Sequence, residues 1–403
     1  MSQLMNESLF KKIQDEGIQN KGLLERQSNL SQKQVEEAIR YVLKKIDENL
    51  STFTHKFPSS SSEHLNYRAI ENIDWTGSFW TGMLWLAYEV TGDNKYRDVA
   101  EIQLESFRER LDKKIHLNHH DVGFLYTLSV VSAYKLTGNK EAKQIALDAA
   151  DLLMTRYYDE AGIIQAWGDL NDPKQRGRII IDCNMNLPLL YWAFEETGNP
   201  KYYDAAYSHI QKAANYIVRD DASTYHTFYM CPETGKPLKG DTKQGYSDES
   251  CWSRGQAWAM YGFPLSYHYT KDWRLIETAK KNTNYFLNRL PDDLVCYWDL
   301  IFTEGTEERD SSAAAIAACG LLELSKYLPL SDDNKRVYEN SALGIMSSLM
   351  DRYTTKDKQS NGILLHAVYH KGGNLGVDEC CIWGDYFYFE ALVRLSKDWN
   401  LYW

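Results

Sequence analysis

The sequence lacks several features that mark large protein classes. Its net charge of −11 leaves it without the lysine and arginine excess that general nucleic-acid binding requires. It has no apolar run of about 18 residues that could cross a membrane. Its first residues, MSQLMNESLFKKIQDEGIQN, contain no apolar stretch of the kind found in secretion signals. We therefore expect a cytoplasmic protein that binds neither nucleic acid nor a membrane.

Motifs for several kinds of catalytic or metal site are also missing. The seven cysteines are odd in number, include no C-x-x-C pair and predict neither a disulfide framework nor a zinc cluster. No H-E-x-x-H motif occurs, and the adjacent His119 and His120 diverge on a regular backbone. A glycine-rich phosphate loop and a G-x-S-x-G elbow are both absent. Phosphoryl transfer and serine hydrolysis therefore have no support.

An internal repeat is the main structural signal. Residues 75–96, 121–142 and 184–203 each begin as an aromatic, small-residue helix and break at Thr-Gly-Asp or Thr-Gly-Asn. Glycine stops the first helix, and Asp or Asn caps the next one. Looser copies follow at 253–275, 310–337 and 382–399.

A more charged helix follows most of these apolar ones. The charged helices are predicted at about 94–112, 140–157, 201–218, 273–289 and 333–352, and segment 33–50 provides a sixth. Helices that are apolar all round belong inside, and those with one charged face belong outside. The pattern predicts an all-α fold, an (α/α)6 barrel of six inner and six outer helices. We expect residues 1–403 to form one catalytic domain, with residues 1–32 as a polar N-terminal extension.

Polar residues recur where the inner helices start, and all of these starts open on one mouth of the barrel. They are Asp74, His120, Asp121, Asp182, Ser253, Arg254, Asp310, Ser311 and Asp385. A single aspartate in such a place is most often a helix cap. Asp182 is the least cap-like, because it follows three isoleucines, and apolar surroundings would raise its pKa in a way that suits acid catalysis. Two carboxylates in a cavity of a chain with 13% aromatic residues indicate sugar chemistry.

Six motifs give the chain a resemblance to a known family. They are NIDWTGSFWTGM (72–83), HHDVGF (119–124), QAWGD (165–169), IIIDCNMNLPLL (179–190), SRGQAWAMYGF (253–263) and IWGDYFYFEAL (382–392). Together they resemble the unsaturated glucuronyl hydrolases, glycoside hydrolase family 88. The resemblance implies the same barrel fold. It also implies an enzyme that removes the 4,5-unsaturated uronic acid from the non-reducing end of oligosaccharides left by polysaccharide lyases.

The resemblance also implies a mechanism and a set of site residues. Asp182 would protonate C4 of the C4=C5 vinyl ether and then deprotonate the water that adds at C5, while Asp121 would bind ring hydroxyls and tune Asp182. Arg254 would pair with the uronate carboxylate through two parallel hydrogen bonds. The implied substrate-binding residues are Trp75, His120, Trp167, His226, Gln244, Arg254 and Trp258. No metal, organic cofactor or obligatory protein partner is expected.

Three alternatives stay open at this point. An unsaturated rhamnogalacturonyl hydrolase acting on pectin fragments would share the barrel and the chemistry. An inverting glycosidase would use Asp121 and Asp182 as acid and base, about 6.5 to 9.5 Å apart. A helical scaffold that binds sugars without catalysis is the third. The resemblance also bears on sulfation, because family members that prefer sulfated fragments carry a serine-rich, lysine-containing motif near loop 366–379. This loop has Lys371 but no serine, so we expect a preference for unsulfated disaccharides.

Overall fold

Helices alternate between an inner and an outer layer in the computed structural model, which describes residues 10–25 and 30–403. Numbered in chain order after a short α1 (Lys21–Leu24), the inner helices are α3 (Gly77–Thr91), α5 (Val122–Tyr126), α6 (Ser132–Thr137), α8 (Pro188–Thr197), α10 (Ser253–Thr270), α12 (Ser311–Tyr327) and α14 (Ile382–Ser396). A π-helical turn, Thr127–Val131, joins α5 and α6 into one inner helix. The outer helices are α2 (Gln32–Asn49), α4 (Asn94–Asp112), α7 (Lys140–Met154), α9 (Pro200–Lys212), α11 (Trp273–Leu287) and α13 (Lys335–Arg352). A second π-helical turn, Ala213–Ile217, extends α9.

Burial separates the two layers as the sequence pattern predicts. In α3 every residue from Gly77 to Ala87 is buried, whereas α2 buries one face through Val35, Ala38, Val42 and Ile46. Helix α14 packs against both α2 and α3, so the last inner helix closes the ring on the first pair. The prediction of an all-α (α/α)6 barrel is confirmed.

The Thr-Gly-Asp and Thr-Gly-Asn breaks are the tight links between inner and outer helices. Gly92 ends α3 in the left-handed region with φ of 69°, where a side chain would be strained. Asp93 then accepts a hydrogen bond from the backbone N–H of Lys95 and starts α4. The same geometry recurs at 138–139 and 198–199.

Short antiparallel strands occupy the long loops ahead of the inner helices. Strand β1 (Phe57–Pro58) pairs with β2 (Ala69–Ile70), β3 (Tyr157–Tyr158) with β4 (Ile163–Ile164), and β8 (Ala367–His370) with β9 (Leu375–Glu379). Strands β5 (Arg178–Ile180), β6 (Thr227–Met230) and β7 (Pro237–Asp241) form one sheet. These hairpins build the wall of the barrel mouth.

Residues 10–25, which fall in the predicted polar extension, pack on the outer layer. Ile13 and Leu24 are buried, and Glu16 forms an ion pair of 2.7 Å with Arg289 just after α11. Part of the expectation for residues 1–32 lies outside the described residues. In the part of the chain that the structure describes, no helix is both long and apolar enough to cross a bilayer.

Candidate active site

A cavity of about 540 Å³ lies at the mouth, between the loops that precede the inner helices. Five of the nine site residues expected from the sequence line it, namely Trp75, Asp121, Trp167, Asp182 and Gln244. Residues separated by more than 150 positions in the chain therefore meet at one surface. The other four, His120, His226, Arg254 and Trp258, are buried behind it.

Asp182 sits where the buried strand β5 turns into a short 3₁₀ helix, Ile181–Met185. Its Oδ1 is buried and accepts no hydrogen bond from the described residues. Burial and, second to it, the nearby charge of Asp121 together raise the pKa of Asp182 to about 8. A carboxyl group with this pKa is mostly protonated at neutral pH, so it can donate a proton.

Asp121 immediately precedes α5, yet its side chain makes no capping hydrogen bond. Its Oδ1 instead lies 3.4 Å from the Asn186 amide nitrogen, and its Oδ2 lies 3.3 Å from Nδ1 of His119. Burial alone would raise the pKa of Asp121, but His120, His119 and Asn186 outweigh burial and hold the pKa below its usual value. The two carboxyl groups therefore have opposite charge states at neutral pH.

The two histidines before Asp121 have different surroundings. His119 Nε2 is 2.8 Å from the His116 carbonyl, and His119 Nδ1 accepts the Asp121 backbone N–H at 3.1 Å. His120 is fully buried, and burial lowers its pKa to about 4. Its Nε2 lies 3.4 Å from Asp121 Oδ1. His120 therefore lies behind Asp121 instead of forming part of the cavity wall.

Asn186 links the two aspartates, and sequence reasoning missed it. Its Oδ1 accepts the Phe124 backbone N–H at 2.7 Å, while its amide nitrogen lies 3.4 Å from Asp121 Oδ1 and 3.3 Å from the Asp182 carbonyl. Close approach of Asn186 requires a glycine at 123, since a Cβ there would lie 2.4 Å from the Asn186 Cα. Asn186 and Gly123 stand inside the motifs IIIDCNMNLPLL and HHDVGF, which is the sequence signal that could have found them.

Arg254 does not occupy the position expected of a free carboxylate partner. Its Nη1 donates to Asp310 Oδ2 at 3.1 Å and to the Val368 carbonyl. Its Nη2 donates to Gln244 Oε1 at 2.6 Å and to the Tyr369 carbonyl at 2.7 Å. Because four of its five N–H donors are already used, a bidentate pair with a uronate would have to displace these contacts. In this geometry Arg254 positions Gln244 and strand β8.

His226 and Trp258 each hold an unpartnered buried donor. His226 Nδ1 accepts the backbone N–H groups of Lys243 and Gln244, at 3.0 and 3.2 Å, so its proton belongs on Nε2, which has no partner in the described chain. Trp258 Nε1 is likewise without a partner among the described residues, and its ring packs on Phe124 with centroids 5.3 Å apart. A buried donor without an acceptor lowers the free energy of unfolding, so a purely structural core would not be expected to keep such donors.

Aromatic rings form two sides of the cavity. Trp75 Nε1 donates to the Tyr369 hydroxyl at 2.9 Å, which fixes the indole plane. The Arg178 guanidinium lies over the Trp167 ring, 4.7 Å from the centroid of that ring. The polar and aromatic cavity residues that the sequence did not single out are His116, Asn118, Lys243, Tyr369 and His370.

The described residues contain no group of three or more His, Cys, Asp or Glu side chains placed to hold a metal ion. The expectation that the enzyme needs no metal stays a prediction.

A helical barrel whose mouth holds one protonated and one ionised carboxyl between tryptophans belongs to the class of carbohydrate-active hydrolases. The sequence profile of Glycosyl Hydrolase Family 88 matches residues 45–357, and the chain belongs to that family. The protein is therefore a glycosidase, and the family expected from the motifs is confirmed.

Relatives with established names are similar over almost the whole chain. The unsaturated chondroitin disaccharide hydrolase of Streptococcus pneumoniae (strain ATCC BAA-255 / R6) is 49% identical across 93% of this chain and 95% of its own length. The crystal structure of unsaturated glucuronyl hydrolase from Streptococcus agalactiae covers 98% of this chain and 100% of its own, with 47% identity and a TM-score of 0.96. A substituted variant of the Streptococcus agalactiae enzyme, complexed with dGlcA-GalNAc6S, has 44% identity, the same coverage and a TM-score of 0.88.

Proposed function

We propose that this enzyme releases the 4,5-unsaturated uronic acid from the non-reducing end of lyase-generated di- or oligosaccharides of the glycosaminoglycan type. The observation that carries the proposal is the pair of opposite charge states, with Asp182 protonated and Asp121 ionised at neutral pH. An acid with a pKa near the working pH can give up a proton and then take one back.

The proposed reaction hydrates the vinyl ether instead of attacking the anomeric carbon. Asp182 donates its proton to C4, and the positive charge that develops at C5 is shared with the ring oxygen. The carboxylate left on Asp182 then removes a proton from a water molecule, which adds at C5 to give a hemiketal. The hemiketal ring then opens to a ketone at C5 and a hemiacetal at C1. Collapse of this hemiacetal to the aldehyde breaks the glycosidic bond and releases the leaving sugar, with no covalent enzyme intermediate.

The remaining cavity residues would bind and orient the sugar. Ionised Asp121 is suited to accept hydrogen bonds from ring hydroxyls, and its charge adds to the effect of burial in keeping Asp182 protonated. Trp75 and Trp167 offer flat faces that can stack on a sugar ring.

Loss of the ultraviolet absorbance of the conjugated double bond is the direct test. We expect the absorbance of an unsaturated chondroitin disaccharide to fall with enzyme, and a saturated glucuronide of the same linkage to stay intact. Cleavage of the saturated glucuronide would favour the inverting glycosidase. Faster reaction with an unsaturated rhamnogalacturonyl disaccharide would favour the pectin-directed alternative, and no reaction with any of these sugars would favour the binding scaffold.

The leaving sugar is expected to be unsulfated. A second cavity of about 610 Å³ adjoins the first, sharing Asp74 and Tyr369, and acidic Glu63 and Glu379 also line it. Arg68 lines it too, but its guanidinium pairs with Glu63 at 3.1 Å. Lys371, the cation of loop 366–379, does not line this cavity and instead forms an ion pair with Glu308. A sulfate in such surroundings meets mainly like charge, which raises its binding free energy.

We therefore expect unsulfated chondroitin disaccharide to be turned over at least about fivefold faster than the 6-sulfated one, since a single repulsion at about 4 Å in water costs about 1 kcal/mol. Paired kcat/KM values on the two disaccharides measure the ratio. Equal or faster turnover of the 6-sulfated substrate would show that the acidic lining does not set selectivity.

We also place the enzyme in the cytoplasm, with no obligatory protein partner. Its seven cysteines are free thiols, and six of them are buried. Free thiols in this number fit a reducing compartment.

A further inference from the structure

Helix α5 is capped at its start by a residue from another segment. The N–H groups of a first helical turn have no partners inside the helix, and the N-cap side chain usually accepts one of them. The N-cap residue of α5 is Asp121, but among the described residues its side chain accepts none of these N–H groups. The Phe124 N–H, at the third helical position, donates instead to Asn186 Oδ1 at 2.7 Å. A side chain 62 positions further along the chain therefore takes the capping role.

The hydrogen bond from Phe124 also fixes the direction of the Asn186 amide. A backbone N–H must meet the amide oxygen, so the amide nitrogen faces the opposite side. There it lies 3.4 Å from Asp121 Oδ1 and 3.3 Å from the Asp182 carbonyl. The two N–H groups of one fully buried amide are thus directed at the two segments that carry the aspartates.

This arrangement releases Asp121 from capping. A capping residue normally has an extended backbone, whereas Asp121 has φ of −66° and ψ of 3°, and its carboxylate lines the cavity. We propose that Asn186 is a positioning residue: it caps α5 in place of Asp121 and so keeps the Asp121 carboxylate in the cavity with Asp182. The inference rests on the proposed function for its effect on turnover, but not for its effect on structure.

Several charged or titratable groups surround Asp121, and they differ in what they can hold in place. They are His119, His120, Asp182, Arg110, Arg156 and Tyr369. The two histidines directly precede Asp121 and move with its segment, so they cannot by themselves fix the carboxylate relative to Asp182. Asn186 stands four residues after Asp182 and contacts both segments, so it can.

Asn284 on α11 provides a matched control. Like Asn186 it is fully buried, accepts a hydrogen bond with Oδ1, from the Tyr338 hydroxyl at 2.7 Å, and donates to a carboxylate, Asp15, at 2.8 Å. Its partners belong to the outer layer and to residues 10–25, and it does not line the cavity. Asn186→Ala and Asn284→Ala therefore remove the same chemical groups, but only the first removes them from Asp121.

Crystal structures of Asn186→Ala and Asn186→Leu test the structural part without reference to any reaction. Leucine keeps most of the side-chain volume and so serves if the alanine variant does not fold. Without the amide oxygen the buried Phe124 N–H needs another acceptor. We expect the Asp121 carboxylate to move onto this N–H or to spread over several rotamers. A carboxylate that keeps its place would overturn the inference, whatever reaction the enzyme catalyses.

Kinetics on an unsaturated glucuronyl disaccharide test the effect on turnover. Both Asn186 variants should lower kcat/KM about ten- to hundredfold, the scale of one hydrogen bond to a charged group. Displacing the Asp121 charge lowers the pKa of Asp182, so the alkaline limb of the kcat profile should move to lower pH. Asn284→Ala should lower the melting temperature but leave kcat/KM per folded molecule and the alkaline limb unchanged.

A double-mutant cycle separates positioning from general damage to the fold. On an Asp121→Asn background, Asn186→Ala should cost less than about threefold in kcat/KM, because the charge that Asn186 positions is already gone. Equal losses on the two backgrounds, an alkaline limb that does not move, or a loss no larger than that of Asn284→Ala would each overturn the positioning role.

Discussion

Asp182→Asn should reduce kcat by about 10⁴-fold or more while substrate binding stays near that of the unsubstituted enzyme. An amide keeps the shape of the side chain but can neither protonate C4 nor accept a proton from water. General acid or base groups contribute about 10² to 10⁴-fold each, and this residue would serve in both steps. Single-turnover kinetics and calorimetric binding of an unsaturated glucuronyl disaccharide measure the two quantities.

Asp385→Asn is the control for Asp182→Asn. Asp385 is also a buried carboxyl with a raised pKa, about 7, but it accepts hydrogen bonds from the Ile363 and Leu364 N–H groups and the Tyr67 hydroxyl and does not line the cavity. It should lower stability but keep turnover per folded molecule. Near-normal turnover by Asp182→Asn would remove Asp182 from the mechanism.

The barrel was predictable because its signals are local. A helix that is apolar on all sides, a glycine stop and an Asn or Asp cap all lie within about 20 residues, as in the segment that ends at Gly138 and Asn139. The hairpins of the mouth were not predicted. Their strands are only two to five residues long, which is too short to show a period of two in the sequence. Some also pair with strands far along the chain, as β5 does with β6, from which α8 and α9 separate it.

The limits of the site prediction have the same physical cause. Asp121 and Asp182 could be singled out because a carboxyl beside buried apolar residues is unusual within its own segment. The hydrogen bonds that occupy the Arg254 guanidinium could not be predicted. Its acceptors Val368 and Tyr369 lie 114 and 115 positions away and belong to a hairpin that the sequence did not predict. The burial of His120 behind Asp121 likewise depends on a distant loop, since its backbone N–H donates to the Ala166 carbonyl at 2.8 Å.

Asp121→Asn tests whether the two carboxyl groups are electrostatically coupled. Asp182 must be protonated to act as the acid, so activity should fall as pH rises through its pKa of about 8. After burial, the charge of Asp121 is the next cause that raises this pKa. Its removal lowers the pKa of Asp182, so the alkaline limb of the kcat profile should move to lower pH.

The Asp121→Asn variant should also lose about 10²-fold or more in kcat/KM, with a visible share in KM, because an amide is a poorer acceptor for the sugar hydroxyls than a carboxylate. Asparagine can still accept the hydrogen bond from Asn186, so the link between the two motifs survives and the loss reports charge more than packing. Profiles of kcat and kcat/KM from about pH 5 to 9 for both enzymes give the comparison. An alkaline limb that stays in place while KM rises would mean that Asp121 binds the substrate without changing the pKa of Asp182. The raised pKa of Asp182 would then be due to burial alone.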